Sequence, residues 1–183
     1  MTTQIIDNFL PDSAFKYLQS IFLSWKIPWE FQSDITGKET GIDQYQFVNL
    51  FYHTRVPYLL SLSTKDLKTV NSDNINLRVL EPLIKTLNPY LLLRVKANLR
   101  PRTHEPIQSK WHTDLEAIDY SGYKTAIYYL NTNNGYTLFK DGTKVESIGN
   151  RVVMFDGNKE HCGVSCTDQQ IRVVLNLNYL LKK

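Results

Sequence analysis

The first half of the chain combines a helical pattern of apolar residues with polar, irregular stretches. Near the N-terminus, apolar side chains recur at helical spacing: Phe15, Leu18, Phe22 and Trp25. This spacing predicts an amphipathic helix that starts at Asp12 or Ser13, both good N-cap residues, and that Pro28 ends. A second helix is predicted over residues 77–87, where a proline interrupts the pattern. The polar, glycine-containing residues 32–43 predict a loop.

Beyond residue 90 the pattern changes to short runs of β-forming residues separated by turns. The predicted strands cover residues 90–99, 124–130, 136–139, 151–155 and 171–180. No helix-length stretch separates them, and parallel strands need long crossovers, so an antiparallel sandwich or barrel follows. The chain is therefore predicted to be α+β and mainly β. Residues 1–89 form a helical buttress with the first strands, and residues 90–181 form the β core.

Length and composition favour one domain over residues 1–183. The longest uninterrupted apolar run, residues 126–130, is far shorter than the ~20 residues that a membrane helix needs. The first residues also lack a secretory signal, so we expect a cytoplasmic, soluble protein with no membrane partner. A net charge of +3, from 21 basic and 18 acidic residues, is too small to indicate a nucleic-acid partner.

The two cysteines offer little metal chemistry of their own. Cys162 and Cys166 lie beside His161, but three soft ligands without a second Cys/His pair do not make a structural zinc site. Two cysteines also cannot build a disulfide framework. Small buried thiols are the favoured interpretation.

A histidine and an aspartate spaced two residues apart suggest a metal site. In the segment Trp111-His112-Thr113-Asp114, residues i and i+2 of an extended strand point to the same side, so His112 and Asp114 converge. A second imidazole, which His161 can supply, would complete the 2-His-1-carboxylate set that suits non-haem Fe(II). An isolated pair of this kind is weak evidence, because a surface or hydrogen-bonded histidine gives the same pattern.

Arg172 lies within an otherwise apolar predicted strand. Alternation puts Ile171, Val173, Leu175 and Leu177 on one face, and Arg172, Val174 and Asn176 on the other. An unpaired buried charge costs several kcal/mol, so the Arg172 guanidinium must find an anion. That anion is either a protein carboxylate or the carboxylate of a bound ligand, which a guanidinium grips with two parallel hydrogen bonds.

Taken together, His112-x-Asp114, His161 and Arg172 resemble the HxD…H…R signature of the Fe(II)/2-oxoglutarate-dependent dioxygenases. Three further motifs are similar to the prolyl 4-hydroxylase-like branch, which includes the hypoxia-sensing and collagen-type enzymes: Ala126-Ile127-Tyr128-Tyr129-Leu130-Asn131, Gly135-x-Thr137-x-Phe139 and Asn150-Arg151-Val152-Val153-Met154-Phe155-Asp156. The similarity covers residues 94–178, and residues 5–10 also resemble the N-terminal start of that branch.

The resemblance implies a double-stranded β-helix, a jelly-roll or cupin-like barrel with helices outside and the metal at one mouth. It implies that His112, Asp114 and His161 ligate Fe(II) and carry the catalysis. 2-Oxoglutarate would chelate the iron through its keto and C1 carboxylate oxygens, with its C5 carboxylate on Arg172. O₂ takes the last position, 2-oxoglutarate is decarboxylated to succinate, and ascorbate is an optional reductant.

The resemblance also assigns four further residues to the cosubstrate site. Tyr129 corresponds to a tyrosine that hydrogen-bonds the C5 carboxylate; alternatively it is a barrel aromatic whose hydroxyl bonds elsewhere. Asn176 shares the face of Arg172, and Thr137 is expected in the same pocket. Asn98 stands where many prolyl hydroxylases have a tyrosine facing the cosubstrate, which weakens any carry-over of prolyl specificity.

The substrate is the open part of this prediction. A prolyl or other protein side-chain hydroxylase is favoured, and a hydroxylase of a free amino acid or other small molecule is the alternative. A nucleobase oxygenase and a non-enzymatic β-helix binding module rank lower. We expect loops over residues 32–43 and 100–110 to border the mouth and to select the substrate.

Four positive charges lie just before the HxD motif: Arg94, Lys96, Arg100 and Arg102. They would either steer an acidic substrate or form a solvated strand face and loop. The solvated face is the favoured interpretation, because clustered lysines and arginines are mostly exposed.

Overall fold

A computed structural model of the protein describes residues 3–24, 26–33, 44–54, 75–115, 118 and 121–182. Most of the predicted loop over residues 32–43 lies outside this set, because residues 34–43 are not described. The helices are α1 (Asp12–Phe22), α2 (Ile75–Arg78) and α3 (Glu81–Leu87). The strands are β1 (Gln4–Ile6), β2 (Glu30–Gln32), β3 (Gln46–His53), β4 (Leu91–Pro101), β5 (Tyr123–Tyr129), β6 (Tyr136–Phe139), β7 (Lys144–Glu146), β8 (Val152–Asp156), β9 (His161–Val164) and β10 (Ile171–Leu180).

Both predicted helices are present, but their bounds differ from the prediction. Helix α1 ends at Phe22, well before Pro28. The helical stretch predicted over residues 77–87 consists of two short helices, and Pro82 lies in the first turn of α3, where its missing N–H breaks no helical bond. None of the helices in the described ranges is long and apolar enough to cross a membrane.

The strands form two antiparallel sheets, as the α+β, mainly β prediction requires. A seven-stranded sheet has the order β1-β8-β5-β10-β4-β3-β2, and a three-stranded sheet has the order β7-β6-β9. Residues Gln108 and His112 add isolated bridges to the free edge of β9, opposite Val164 and His161. The described ladders therefore form two facing sheets of a jelly roll.

The two faces of the large sheet have different surroundings. On β10, Val173, Leu175 and Leu177 pack in the main core with Leu18 and Phe22 of α1. The alternate positions face the small sheet, where Val174 belongs to a second apolar cluster with the other inward residues: Ile127, Tyr129, Phe139, Val145, Val153 and Phe155. The predicted alternation along β10 is confirmed. Because of this alternation, the polar residues Arg172 and Asn176 of β10 lie between the two sheets.

Asn150 ties the N-terminal segment to the large sheet. Its backbone is left-handed, with φ 64°. The side-chain Oδ1 accepts hydrogen bonds from Leu10 N at 2.9 Å and Tyr128 OH at 2.8 Å, and Nδ2 donates to Leu10 O at 2.8 Å. All three bonds are buried, so this one amide fixes where the chain enters α1.

Replacing Asn150 tests this connection. We expect Asn150→Ala to lower the free energy of unfolding by about 3 kcal/mol more than Asn8→Ala, because it leaves three buried partners without hydrogen bonds. Asn8 is the matched control: its φ is 51°, so both variants carry the left-handed backbone penalty, but its side chain is exposed. Urea unfolding of both variants measures the difference, and equal losses would contradict it.

Candidate active site

Three potential metal ligands meet at one edge of the small sheet. One ligand atom from each of His112, Asp114 and His161 lies within 4.8 Å of the others. His161 begins β9, and His112 lies opposite it, joined by two backbone N–H···O bonds of 3.0 Å. Asp114 follows two residues later. The structure has a single β-bridge at His112 in place of the predicted strand. This bridge brings the two imidazole rings together, and their centroids are 4.7 Å apart.

The backbone orients both histidine rings. The Nδ1 atom of His112 lies 2.9 Å from Lys110 O, and that of His161 lies 3.2 Å from Lys159 O. A carbonyl oxygen can only accept, so each Nδ1 carries the proton. Each Nε2 atom then carries a free lone pair, which is the arrangement found in metal-bound histidines.

Asp114 is buried and held by three donors. Arg94 Nη2 lies 2.8 Å from Oδ1, Asn176 Nδ2 lies 3.3 Å from Oδ1, and Asn178 Nδ2 lies 3.1 Å from Oδ2. The side chain is only 4% exposed. These contacts fix the carboxylate in place and leave it close to both imidazoles, with His161 Nε2 4.0 Å from Oδ2.

The protonation states suit metal binding. Burial by itself would raise the pKa of Asp114, but the neighbouring His161 and Arg94 outweigh it and hold that pKa well below the usual range. Burial lowers the pKa of His161 below its ordinary value, which favours the neutral imidazole. Arg94 then remains as the permanent positive charge beside the carboxylate. A carboxylate and neutral imidazoles are the forms that bind a metal ion.

Arg172 lies between the sheets without a carboxylate partner. It is 4% exposed; its Nε donates to Ser147 Oγ at 2.9 Å and its Nη2 to Thr137 Oγ1 at 3.3 Å. No Asp or Glu of the described residues forms a salt bridge with it. Gly135 makes room for the side chain, because a Cβ there would lie 2.8 Å from Arg172 Cδ. The sequence left two possible anions for Arg172, a protein carboxylate and the carboxylate of a bound ligand. The described residues do not supply the protein carboxylate.

One cavity of about 290 Å³ joins the metal ligands to Arg172. Seven of the eight predicted site residues line it: His112, Asp114, His161, Arg172, Asn176, Thr137 and Asn98. Tyr129 is fully buried behind the cavity wall, and its hydroxyl donates to Thr137 Oγ1 at 2.8 Å. Tyr129 therefore contacts the cavity through Thr137.

The favoured interpretation of the basic stretch as a solvated face is wrong for three of its four residues. Arg94, Lys96 and Arg100 alternate along β4 and all line the cavity. Their strand pairs with β10 and β3 along its two edges, and the face that carries these residues borders the cavity. Arg102 follows the end of β4 and is exposed. Cys162 and Cys166 are buried free thiols, and they belong to no metal-ligand cluster of the described residues.

Sequence reasoning missed the partners of Asp114. Arg94 was grouped with exposed charges, and Asn178 was not considered. Period-two alternation would have found Asn178, since it continues the face of Arg172 and Asn176 along β10. Its contact with Asp114 follows from strand pairing, which puts Asn178 opposite Arg94.

The sequence matches no protein-family model and no curated protein. Solved structures are similar in fold. A Trichoplax adhaerens prolyl hydroxylase, in complex with a hypoxia inducible factor oxygen degradation domain peptide fragment, is 15% identical with a TM-score of 0.57, over 97% of this chain and 83% of that chain. A Pseudomonas putida prolyl-4-hydroxylase is 14% identical with a TM-score of 0.52, over 99% of this chain and 93% of that chain.

A third solved structure extends the similarity beyond prolyl hydroxylases. The non-heme alpha ketoglutarate dependent carbocyclase SnoK from nogalamycin biosynthesis is 12% identical with a TM-score of 0.63, over 98% of this chain and 79% of that chain. The chain has the fold of the 2-oxoglutarate- and Fe(II)-dependent oxygenases. This oxygenase fold agrees with the resemblance seen in the motifs, and it places the ligand cluster and Arg172 in one cavity between its two sheets.

Metal titration tests the candidate ligand set. We expect one Fe(II) per chain in the wild-type protein, and loss of tight binding in His161→Ala, because two ligands cannot hold the ion as three do. His104→Ala is the matched control, since His104 is exposed and outside the cluster. Anaerobic calorimetry with Fe(II) measures both. Unchanged binding in His161→Ala would show that the metal lies elsewhere.

Proposed function

We propose that this chain is an Fe(II)- and 2-oxoglutarate-dependent oxygenase that hydroxylates a prolyl or other side chain of a protein or peptide. The observation that carries the proposal is the shared cavity, with a 2-His-1-carboxylate cluster at one end and, at the other, a buried arginine that has no carboxylate partner among the described residues. The oxygenase fold supports it.

The donor set fits Fe(II). The Nε2 atoms of His112 and His161 and a carboxylate oxygen of Asp114 would hold the ion and leave positions open for other ligands. When bound, Fe(II) and 2-oxoglutarate supply with O₂ the oxidation of a substrate C–H bond, releasing succinate and carbon dioxide. Arg94 and Asn178 keep Asp114 ionised and oriented, so the ligand set needs no rearrangement.

Arg172 and Thr137 would hold the C5 carboxylate of 2-oxoglutarate. The Thr137 hydroxyl oxygen already accepts from Tyr129 OH and from Arg172 Nη2. Its own proton is therefore free to be donated into the cavity. A carboxylate placed there meets a guanidinium and a hydroxyl donor, both fixed before it arrives, and charge-assisted bonds of this kind are the stronger class.

The amide side chains of Asn98 and Asn176 complete the wall of the cavity. Each has a buried Oδ1 without a hydrogen-bond partner in the described residues. Both line the cavity, so these oxygens would accept hydrogen bonds from a bound molecule or water. Of the predicted loop over residues 100–110, Arg100 and Ser109 line the cavity, and residues 100–101 belong to β4. Of the predicted loop over residues 32–43, Gln32 ends β2 and residues 34–43 lie outside the described residues. We propose that these two segments select the substrate.

A protein or peptide substrate is supported by the Trichoplax prolyl hydroxylase of similar fold, which was solved with a peptide. A free amino acid or other small molecule is the second candidate. The cavity of about 290 Å³ favours it, because this volume is just below the range of about 300–1,000 Å³ that is typical of ligand sites. Succinate formation with proline peptides, free amino acids and damaged nucleic acids separates the candidates. Absence of substrate-stimulated succinate formation across all three classes would contradict the proposed hydroxylase.

Arg172→Ala tests the cosubstrate site. We expect the KM for 2-oxoglutarate to rise about 10- to 150-fold, because the change deletes a charge-assisted pair of about 1.5–3 kcal/mol. Metal affinity should stay close to wild type, and Arg172→Lys should be affected less. Arg151→Ala is the control, since Arg151 pairs with Asp7 outside the cavity. Wild-type 2-oxoglutarate affinity in Arg172→Ala would remove the residue from this role.

Tyr129→Phe tests the support of Thr137. Loss of the hydroxyl frees Thr137 to reorient, so we expect a loss in 2-oxoglutarate affinity of about 1 kcal/mol with the fold intact. Tyr128→Phe is a matched control on the opposite face of β5, where the hydroxyl donates to Asn150. That variant should lower stability and leave 2-oxoglutarate affinity unchanged. Calorimetric titration and thermal unfolding separate the two effects.

A further inference from the structure

The inward face of β4 carries more positive charge than the proposed cosubstrate site uses. Arg94, Lys96, Asn98 and Arg100 alternate along the strand, and all four line the cavity. Arg94 is accounted for by its ion pair with Asp114. Among the described residues, Lys96 and Arg100 have no such partner, so the burial of Arg100 and the half-burial of Lys96 need a separate explanation.

Arg100 is a buried guanidinium with one unused end. It is 4% exposed, and its Nη1 donates to Gly163 O at 3.1 Å and to Ile107 O at 3.3 Å. Its Nη2 is buried and has no hydrogen-bond partner in the described residues. The pairing of β4 with β10 puts Arg100 directly opposite Arg172. Like charges at paired positions repel, and no carboxylate of the described residues lies between them to offset this.

Lys96 is the second uncompensated cation. It stands opposite Asn176 in the same pairing. It forms no hydrogen bond or ion pair with any described residue. Burial and the charge of Arg94 lower its pKa to about 8, and the charge of Asp114 offsets this in part. A half-buried ammonium without a hydrogen-bonded or ion-paired partner is unfavourable, and a bound anion would remove that cost.

The charges of the cavity do not balance even with metal and cosubstrate bound. Its described lining has four cationic side chains, Arg94, Lys96, Arg100 and Arg172, against the single carboxylate of Asp114. A divalent ion and the two carboxylates of 2-oxoglutarate cancel each other. The lining therefore keeps its excess of positive charge, which a further anion would offset.

We propose that the substrate carries an anionic group, a carboxylate or a phosphate, which Arg100 and Lys96 bind on the inward face of β4. This inference rests on the proposed function, since it places the substrate beside the cosubstrate. Asn98 lies between the two cations on the same face, and its unpaired Oδ1 would accept an N–H or O–H of the same molecule. An uncharged side chain in a neutral peptide would leave both cations uncompensated.

Binding of matched acid and amide probes tests the inference without turnover. The protein is loaded with Mn(II) and 2-oxoglutarate in the absence of oxygen. The probes are N-acetylproline against N-acetylprolinamide, N-acetylglutamate against N-acetylglutamine, and inorganic phosphate. We expect at least one anion to bind saturably at one site, and a carboxylate that binds to do so about tenfold more tightly than its amide. The pairs and the phosphate arm distinguish a carboxylate from a phosphate group.

Variants assign the binding to β4. Lys96→Met removes the charge of a side chain that has no described partner, and it keeps an apolar stem of similar length. Lys96→Met and Arg100→Gln should each weaken anion binding about tenfold and leave 2-oxoglutarate affinity within about twofold. Arg100→Lys keeps the positive charge and loses the bonds to Ile107 and Gly163. It therefore separates the effect of the charge from the effect of these bonds. Arg102→Gln, an exposed arginine of the same stretch, should bind as wild type.

The outcomes separate this inference from the proposed function. If the wild-type protein fails to bind 2-oxoglutarate with metal, the proposed function fails. If it binds 2-oxoglutarate and none of the anions, or if anion affinity in Lys96→Met is the same as in the wild-type protein, the inference alone is overturned. A tenfold loss of 2-oxoglutarate affinity in these variants would assign the two cations to the cosubstrate instead.

Discussion

The ion pair between Arg94 and Asp114 is the contact on which the candidate site depends. Both groups lie between two sheets, with the side chains 13% and 4% exposed, where an unpaired charge would cost several kcal/mol. Paired, they hold the carboxylate ionised beside two imidazoles whose rings the backbone has already oriented. Removal of either partner would leave a buried charge alone, so the metal ligands and the surrounding strands are stabilised together.

Strand alternation allows one strand to serve both the core and the site. Val173, Leu175 and Leu177 of β10 anchor the sheet to the helices, and the residues between them face the cavity. A shift of one residue in the pairing with β4 would exchange the two faces. It would push Arg172 into the apolar core and carry leucines into the cavity. The hydrophobic core therefore fixes the register that sets Arg172 opposite Arg100.

Features that depend on local sequence were predictable. The alternation of β10 and the apolar spacing of α1 follow from neighbouring residues, and the motif resemblance selected the three candidate ligands. The surroundings of β4 were not predictable in this way, because the residues of a strand do not reveal whether the strand is central in the sheet or at its edge. For the same reason the sequence favours a solvated Arg94, although its strand is central in the large sheet and its side chain lines the cavity. Its contact with Asp114 depends on pairing between segments far apart in the chain.

At 12–15% identity, the structures that share this fold include prolyl hydroxylases and a carbocyclase, so the fold does not determine the substrate. What distinguishes one such site from another is the set of side chains that line the cavity. In this chain the candidate ligand cluster, Arg172 and Thr137 fit the iron and the dicarboxylate cosubstrate of the proposed function. The charges of Lys96 and Arg100 exceed that requirement. Because a buried Arg100 and a half-buried Lys96 are unfavourable without an anion, the proposed choice of substrate depends on these two side chains together with the two loop segments.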